Sequence, residues 1–157
     1  MNNISKAIGL GILVLTCAAC DPSDQRPGLW LMGDTVPAPA DWSFTDQIPE
    51  IALQVHTPYL LPHSVTIWCS SVEGKLFIGA SRPETKRWPG WVDADPNVKL
   101  KIDGKVYEAR LTPLTDANEV AKVQVAFQTK YKLPAPQPDA PPPSSRLWSV
   151  AFDVRSS

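Results

Sequence analysis

The sequence predicts a mainly β domain, a small closed or half-open antiparallel barrel with one or two covering helices. Three observations predict it. About six short runs alternate apolar and polar residues, the period of a half-buried strand. One of the turns, Asp103-Gly104, is a strong hairpin signal that demands antiparallel neighbours. Only one long stretch, near residues 116–131, has apolar residues at helical spacing. A barrel suits this pattern better than a parallel sheet.

The first residues place one charge, Lys6, ahead of an apolar run at 7–15. That is the layout of a secretory signal. The run is about half the ~20 residues that span a bilayer. Ala18 and Ala19 then precede Cys20, a cleavage region that resembles a bacterial lipoprotein signal. Residues 1–19 would be the signal peptide, and Cys20 would carry the lipid as first residue of the mature chain. Cys17 departs from the pattern, since such signals usually carry Leu there. The alternative is an ordinary secreted protein cut near Ala19. The expected location is the bacterial envelope, with the bilayer as partner through Cys20 and the domain facing the periplasm or exterior. Acyl chains would anchor it firmly. Only Cys69 would remain free, so no internal disulfide is expected.

About 137 residues then remain, enough for one domain with a real core. Fifteen Lys and Arg face 16 Asp and Glu, for a net charge of −1. No electrostatic footprint points to nucleic acid, and no long basic run points to anionic lipid. Two proline-rich segments punctuate the chain. Residues 20–41 read as a tether, with Leu29, Trp30 and Leu31 expected to make part of it pack. Residues 42–157 read as the domain. Within it, 133–145 (LPAPQPDAPPPSS) forbids helix and sheet and favours an extended loop, either a stiff spacer or a motif for a proline-binding groove.

Trp42 to Phe44 begin the domain. Residues 51–57 form a half-buried strand with Ile51, Leu53 and Val55 on one side. Residues 64–70 form the next, with Val65, Ile67 and Cys69 sharing a face. Cys69 reads as a small core residue; no basic neighbour in sequence would lower its thiol pKa. Glu73-Gly74 turns the chain into 75–80, where Leu76, Ile78 and Ala80 oppose Phe77, Gly79 and Ser81. Gly79 and Ala80 leave the strand bare, as strand glycines do where a ligand or backbone approaches.

Ser81, Arg82, Glu84, Thr85, Lys86 and Arg87 follow in one loop. Hydroxyls and three cations make a candidate anion grip; the other reading is a solvated turn with Glu84 neutralising one cation. Trp88-Pro89 starts a short helix, and Asp95-Pro96 stops it. Trp88 and Trp91 lie three apart and can share a face, as core or as the wall of a flat ligand. Around Asp103-Gly104 the register pairs Ile102 with Lys105, Leu100 with Tyr107, Val98 with Ala109 and Lys99 with Glu108. One face is apolar and the other carries an ion pair. Thr115 or Asp116 caps a helix to about Tyr131, with Asp116 and Glu119 resembling a capping box and Val120, Val123, Phe127 and Tyr131 in a stripe. Residues 146–154 form a last strand with Trp148, Val150, Phe152 and Val154 buried.

Gly79-Ala80-Ser81, the basic loop, Trp88-Pro89, Trp91, Asn97-Val98, Gly104, Tyr107 and Arg110, in that order, resemble the flavin split barrels. These are the pyridoxamine-phosphate-oxidase-like proteins and the deazaflavin-dependent nitroreductase-like branch. The likeness covers 64–131, and FQTKY at 127–131 adds to it. It implies a six-stranded antiparallel split β-barrel and a homodimer with a flavin-type cofactor, FMN or a deazaflavin, at the subunit interface. It further implies phosphate contacts from Ser81, Arg82, Lys86 and Arg87. The ring would lie on the backbone of Gly79 and Ala80, with Trp91 nearby. The cofactor would supply the redox chemistry. Where deazaflavin-binding relatives carry a Gly-basic-x-Ser-Gly loop, this chain has residues 56–63, HTPYLLPH. His56, His63 and Cys69 lack further ligands at zinc spacing, so no metal site is expected, and catalytic residues are not legible. Two functions follow: a membrane-anchored flavin-type oxidoreductase acting on a small molecule, or a non-catalytic lipoprotein that binds a ligand or envelope partner without a cofactor.

Overall fold

Six strands close into one antiparallel barrel in the order β1-β2-β3-β6-β5-β4. The computed structural model describes residues 28–134 and 144–152. The signal, Cys20 and the first part of the tether lie outside the described residues. So do 135–143 of the proline-rich loop and 153–157. The strands are β1 (Ile51–Val55), β2 (His63–Val72), β3 (Lys75–Ser81), β4 (Asn97–Ile102), β5 (Lys105–Pro113) and β6 (Ser145–Phe152). Two helices accompany them, α1 (Trp88–Ala94) and α2 (Ala117–Tyr131).

Alternating side chains explain the closure. Leu53, Val55, Ile67, Leu76, Ile78, Leu100 and Trp148 fill the interior. Removing such apolar area from water is the main favourable contribution to folding. The β4–β5 register is the one that the Asp103-Gly104 turn predicts, with Leu100 opposite Tyr107 and Lys99 opposite Glu108. Lys99 and Glu108 form an ion pair at 3.9 Å. A slip of one residue would have turned both into the core. Asp103 and Gly104 both take positive φ, 49° and 76°, as the twist of a two-residue hairpin requires.

Trp42 plugs one end of the barrel. It stacks on Phe152 at 4.2 Å and meets Tyr107 edge-on at 5.0 Å. Its N–H donates to the Gly74 carbonyl. At the other end Trp88 of α1 packs against Trp148 at 5.0 Å.

α2 begins at Asp116, whose side chain accepts from the Glu119 N–H at 2.9 Å. Its stripe places Val123 and Phe127 on Phe77 and Leu147, a second cluster outside the barrel. Its last turn seals a seam. β1 pairs with β2 only as far as Ile67, so the edge of β2 beyond it has no strand beside it. The Tyr131 hydroxyl accepts from the Cys69 N–H at 3.0 Å and donates to the Pro49 carbonyl at 2.8 Å. Lys130 Nζ donates to the carbonyls of Cys69 (2.6 Å) and Thr45 (2.8 Å). Asp46 accepts from the N–H and hydroxyl of Ser71 at 2.9 and 2.8 Å. Side chains thereby satisfy a strand edge that would otherwise be exposed. Cys69 itself is fully buried, and burial pushes its thiol pKa up.

Two strand expectations are corrected. β1 is buried on both faces rather than one. Residues 28–38 lie over its outer side: Gly28 bridges Ser64, Thr35 bridges Val106, and the Leu31 N–H donates to Gln54 Oε1. This strap packs through Val36 and Ala38, while Leu29 and Trp30 stay exposed. β6 also buries Leu147 of its outer set, because α2 covers that face.

Candidate functional site

Antiparallel pairing gathers alternate strand ends on one rim. The end of β1 at Val55, the starts of β2 and β4, the end of β3 at Ser81 and the start of β6 at Ser145 share it. The link at 56–62, the basic loop, α1 and the Asp95–Asn97 turn all emerge there. Most of the polar chemistry anticipated from the sequence is therefore at one place.

The basic loop is folded by its own bonds. Arg82 adopts left-handed backbone, φ 49°. Its N–H donates to the Ser144 carbonyl at 2.8 Å, and its carbonyl accepts from Thr85 N–H and Oγ1 at 3.0 and 2.8 Å. Ser81, Arg82, Lys86 and Arg87 are all exposed. Among the described residues, none of the three cations has a carboxylate in salt-bridge range. Glu84 does not neutralise one by contact; it accepts from the Ser144 hydroxyl at 2.8 Å. Its own backbone N–H and that hydroxyl hold its carboxyl below the ordinary carboxylate range, with smaller help from Arg82 and Lys86. Unpaired guanidinium and ammonium groups on an ordered loop suit an anion.

The ring-facing expectation fares differently. The side of Gly79 is filled: a Cβ there would sit 3.0 Å from Leu147 and 3.5 Å from Phe127. Gly79 thus admits α2, not a ligand. Ala80 points into the barrel and is buried. Their backbones are occupied in the ladders with β2 and β6. Trp91 is half-buried and turns from the basic loop towards Tyr59 (6.2 Å) and His63 (5.4 Å). Trp88 and Trp91 consequently face different neighbours. The structure unites Ser81, Arg82, Lys86 and Arg87 but does not open Gly79 and Ala80 beside them.

Two polar groupings were not visible as sites in the sequence. Arg146 grips Asp93 of α1 through both nitrogens, Nη1 to Oδ2 at 2.8 Å and Nη2 to Oδ1. Its guanidinium also lies 4.9 Å over the Trp148 ring. The bond from Arg146 holds the Asp93 carboxyl below its ordinary range. Arg146 and Asp93 stand 53 positions apart, so no local pattern links them. The second grouping is a chain of contacts. His56 Nδ1 meets Asp95 at 2.6 Å, Asp95 accepts from Asn97 N–H and Nδ2 at 3.0 and 2.9 Å, and Arg110 donates to Asn97 at 3.2 Å. Burial raises the Asp95 pKa, but the bonds from Asn97 and His56 outweigh it and leave the carboxyl below its usual range. An imidazole oriented by a carboxylate is the geometry of a general base, although no nucleophile contacts this one among the described residues. No group of three metal-ligating side chains occurs among them. Inside the barrel, Trp148 Nε1 is buried with no acceptor among them. A cleft of about 290 Å³ lies at the opposite rim, between the Glu73 turn and the start of α2, and the Lys122–Glu73 ion pair sits at it.

No protein-family model matches the chain, and no curated protein matches it. Solved structures do. Campylobacter jejuni ChuZ matches at 11% identity and a TM-score of 0.54, over 69% of this chain and 50% of ChuZ, so the chain spans half the length of that protein. A protein assigned to 5-nitroimidazole antibiotic resistance, from Bacteroides thetaiotaomicron, matches at 12% identity and TM-score 0.54, over 71% of this chain and 76% of that one. A protein assigned as a pyridoxamine 5′-phosphate oxidase, from Listeria innocua, matches at 11% identity and TM-score 0.52, over 69% and 86%. At these identities the likeness shows the fold alone, a six-stranded antiparallel split barrel.

Proposed function

We propose that this split barrel is a lipid-anchored envelope protein that binds a phosphate-bearing flavin-type cofactor, FMN or a deazaflavin, and acts on a small molecule with it. The supporting observation is the ordered loop at 81–87, with Arg82, Lys86 and Arg87 exposed and unpaired among the described residues. The names of the Bacteroides and Listeria proteins are compatible with such a role. The phosphate end of the cofactor fits this loop. The ring end does not fit against Gly79 and Ala80, which Leu147, Phe127 and the barrel interior occupy. No chemical step is therefore assigned to the ring. Its wall would come from a second copy in the homodimer that the sequence resemblance implies.

The filled face of Gly79 also favours a second reading, a non-catalytic barrel whose rim binds an anionic ligand or envelope partner. An absorption spectrum with FMN and deazaflavin titrations separates the two. Wild-type protein is expected to bind one of them. The Arg82→Ala/Lys86→Ala variant is expected to bind at least about tenfold more weakly, since charge-assisted bonds to an anion are lost. The fold should persist, because both side chains are exposed. A colourless wild type that binds neither cofactor overturns the oxidoreductase reading; unchanged affinity in the variant overturns the role of the loop.

A further inference from the structure

The link between β1 and β2 is an apolar tip. Tyr59, Leu60 and Leu61 are 62%, 96% and 51% exposed. Three consecutive large apolar side chains in water are costly and mark a contact surface. The tip is also built. Thr57 Oγ1 donates to the Leu61 carbonyl at 2.5 Å and accepts from the Tyr59 N–H at 3.2 Å. Leu60 holds φ 65°, a left-handed conformation that costs a leucine energy. Pro58 and Pro62 bracket it. On the other side of β2, Leu29 and Trp30 of the strap are 49% and 56% exposed, and the Leu29 carbonyl accepts from Ser64 Oγ.

Charge adds a direction. The same rim carries Arg82, Lys86 and Arg87, unpaired among the described residues. Its carboxylates are engaged: Glu84 by Ser144, Asp93 by Arg146, Asp95 by His56 and Asn97. The three cations stand together within residues 82–87, in the loop that leaves the end of β3. Exposed aromatic and leucine side chains on the same rim as Lys and Arg are the chemistry of a surface that rests on anionic lipid. The chain length agrees. Gly28 joins the barrel at Ser64, three residues from Leu61, and the eight residues back to Cys20 span at most about 28 Å.

We infer that, when no cofactor phosphate occupies the loop, this rim docks on an anionic bilayer, with Tyr59, Leu60 and Leu61 inserted at the headgroup level and Arg82, Lys86 and Arg87 facing lipid phosphates. Only the length consideration rests on the lipid-anchor reading. Docking fixes the orientation of the barrel, which an acyl tether alone would leave free.

The test uses the full chain in vesicles of phosphatidylethanolamine and phosphatidylglycerol. An environment-sensitive fluorophore is placed at Leu60→Cys, or at Lys105→Cys on the opposite rim. Both positions are exposed, so neither change disturbs the core. The label at 60 is expected to shift to the blue and lose most of its emission to nitroxide lipids, while the label at 105 does neither. Exchanging phosphatidylglycerol for phosphatidylcholine, or raising salt, is expected to reverse the effect. A label at 60 that stays in water overturns docking. So does equal quenching at both positions, or quenching between copies without lipid, which would assign the tip to a second copy. The mass of Cys20 reports acylation separately, and the flavin titration reports the cofactor, so each reading fails on its own measurement.

Discussion

Trp42→Ala is expected to destabilise the domain by about 3–5 kcal/mol, the cost of truncating a fully buried large aromatic. Trp42 is only 3% exposed and lies outside every strand. It nevertheless closes one end of the barrel through Phe152, Tyr107 and Phe44. Removing it leaves a cavity that the short turn at Ser43–Gln47 cannot collapse into, because that turn is tied to β2 by Asp46 and to α2 by Lys130. Water would then reach the ends of β5 and β6. The check is a urea titration of the wild type and variant, read by the denaturation midpoint and slope. A loss below about 1 kcal/mol would mean that residue 42 is peripheral and the barrel is closed without it.

Tyr131→Phe is expected to cost about 1–3 kcal/mol, although it removes a single oxygen. Most surface tyrosines would lose almost nothing. Here the hydroxyl serves both the Cys69 N–H and the Pro49 carbonyl at the seam between β1 and β2. Burial, and to a lesser degree its neighbours, raise the phenol pKa far above its ordinary value, which favours the neutral donor. The ring that stacks on Trp68 at 4.3 Å is retained by phenylalanine, so the loss is expected to isolate the bonds. Urea titration again gives the value. A change below about 0.5 kcal/mol would show that water replaces the hydroxyl at the seam.

What the sequence reveals here divides by distance along the chain. The β4–β5 hairpin was legible to the residue because Asp103-Gly104 fixes its register and the apolar face confirms it. The Asp116 cap and the Val123–Phe127 stripe were legible for the same reason: their partners lie within a few positions. The loop at 81–87 could be named as a cluster of cations, but not as unpaired, since the fate of Glu84 depends on Ser144, sixty positions away. Gly79 looked bare because a strand glycine has no side chain. Whether a ligand or a helix fills that space depends on how α2 crosses the sheet, and periodicity carries no crossing position. β1 looked half-buried because the strap that covers it, residues 28–38, has no alternating strand pattern of its own. The split-barrel resemblance rested on the order of several weak motifs, and order is what a shared topology preserves.

The strap has a mechanical consequence. Gly28 and Thr35 touch the barrel through isolated bridges, whereas every strand inside it is held by a ladder on each side over at least part of its length. A pull on the N-terminus loads the Gly28–Ser64 bridge first and opens bonds one at a time, like a peeled strip. Only after Trp42 is drawn from its end would the force reach the ladders and have to shear several bonds together. Tension applied ahead of Gly28 would therefore be spent on peeling at the barrel's flank before it reached the core.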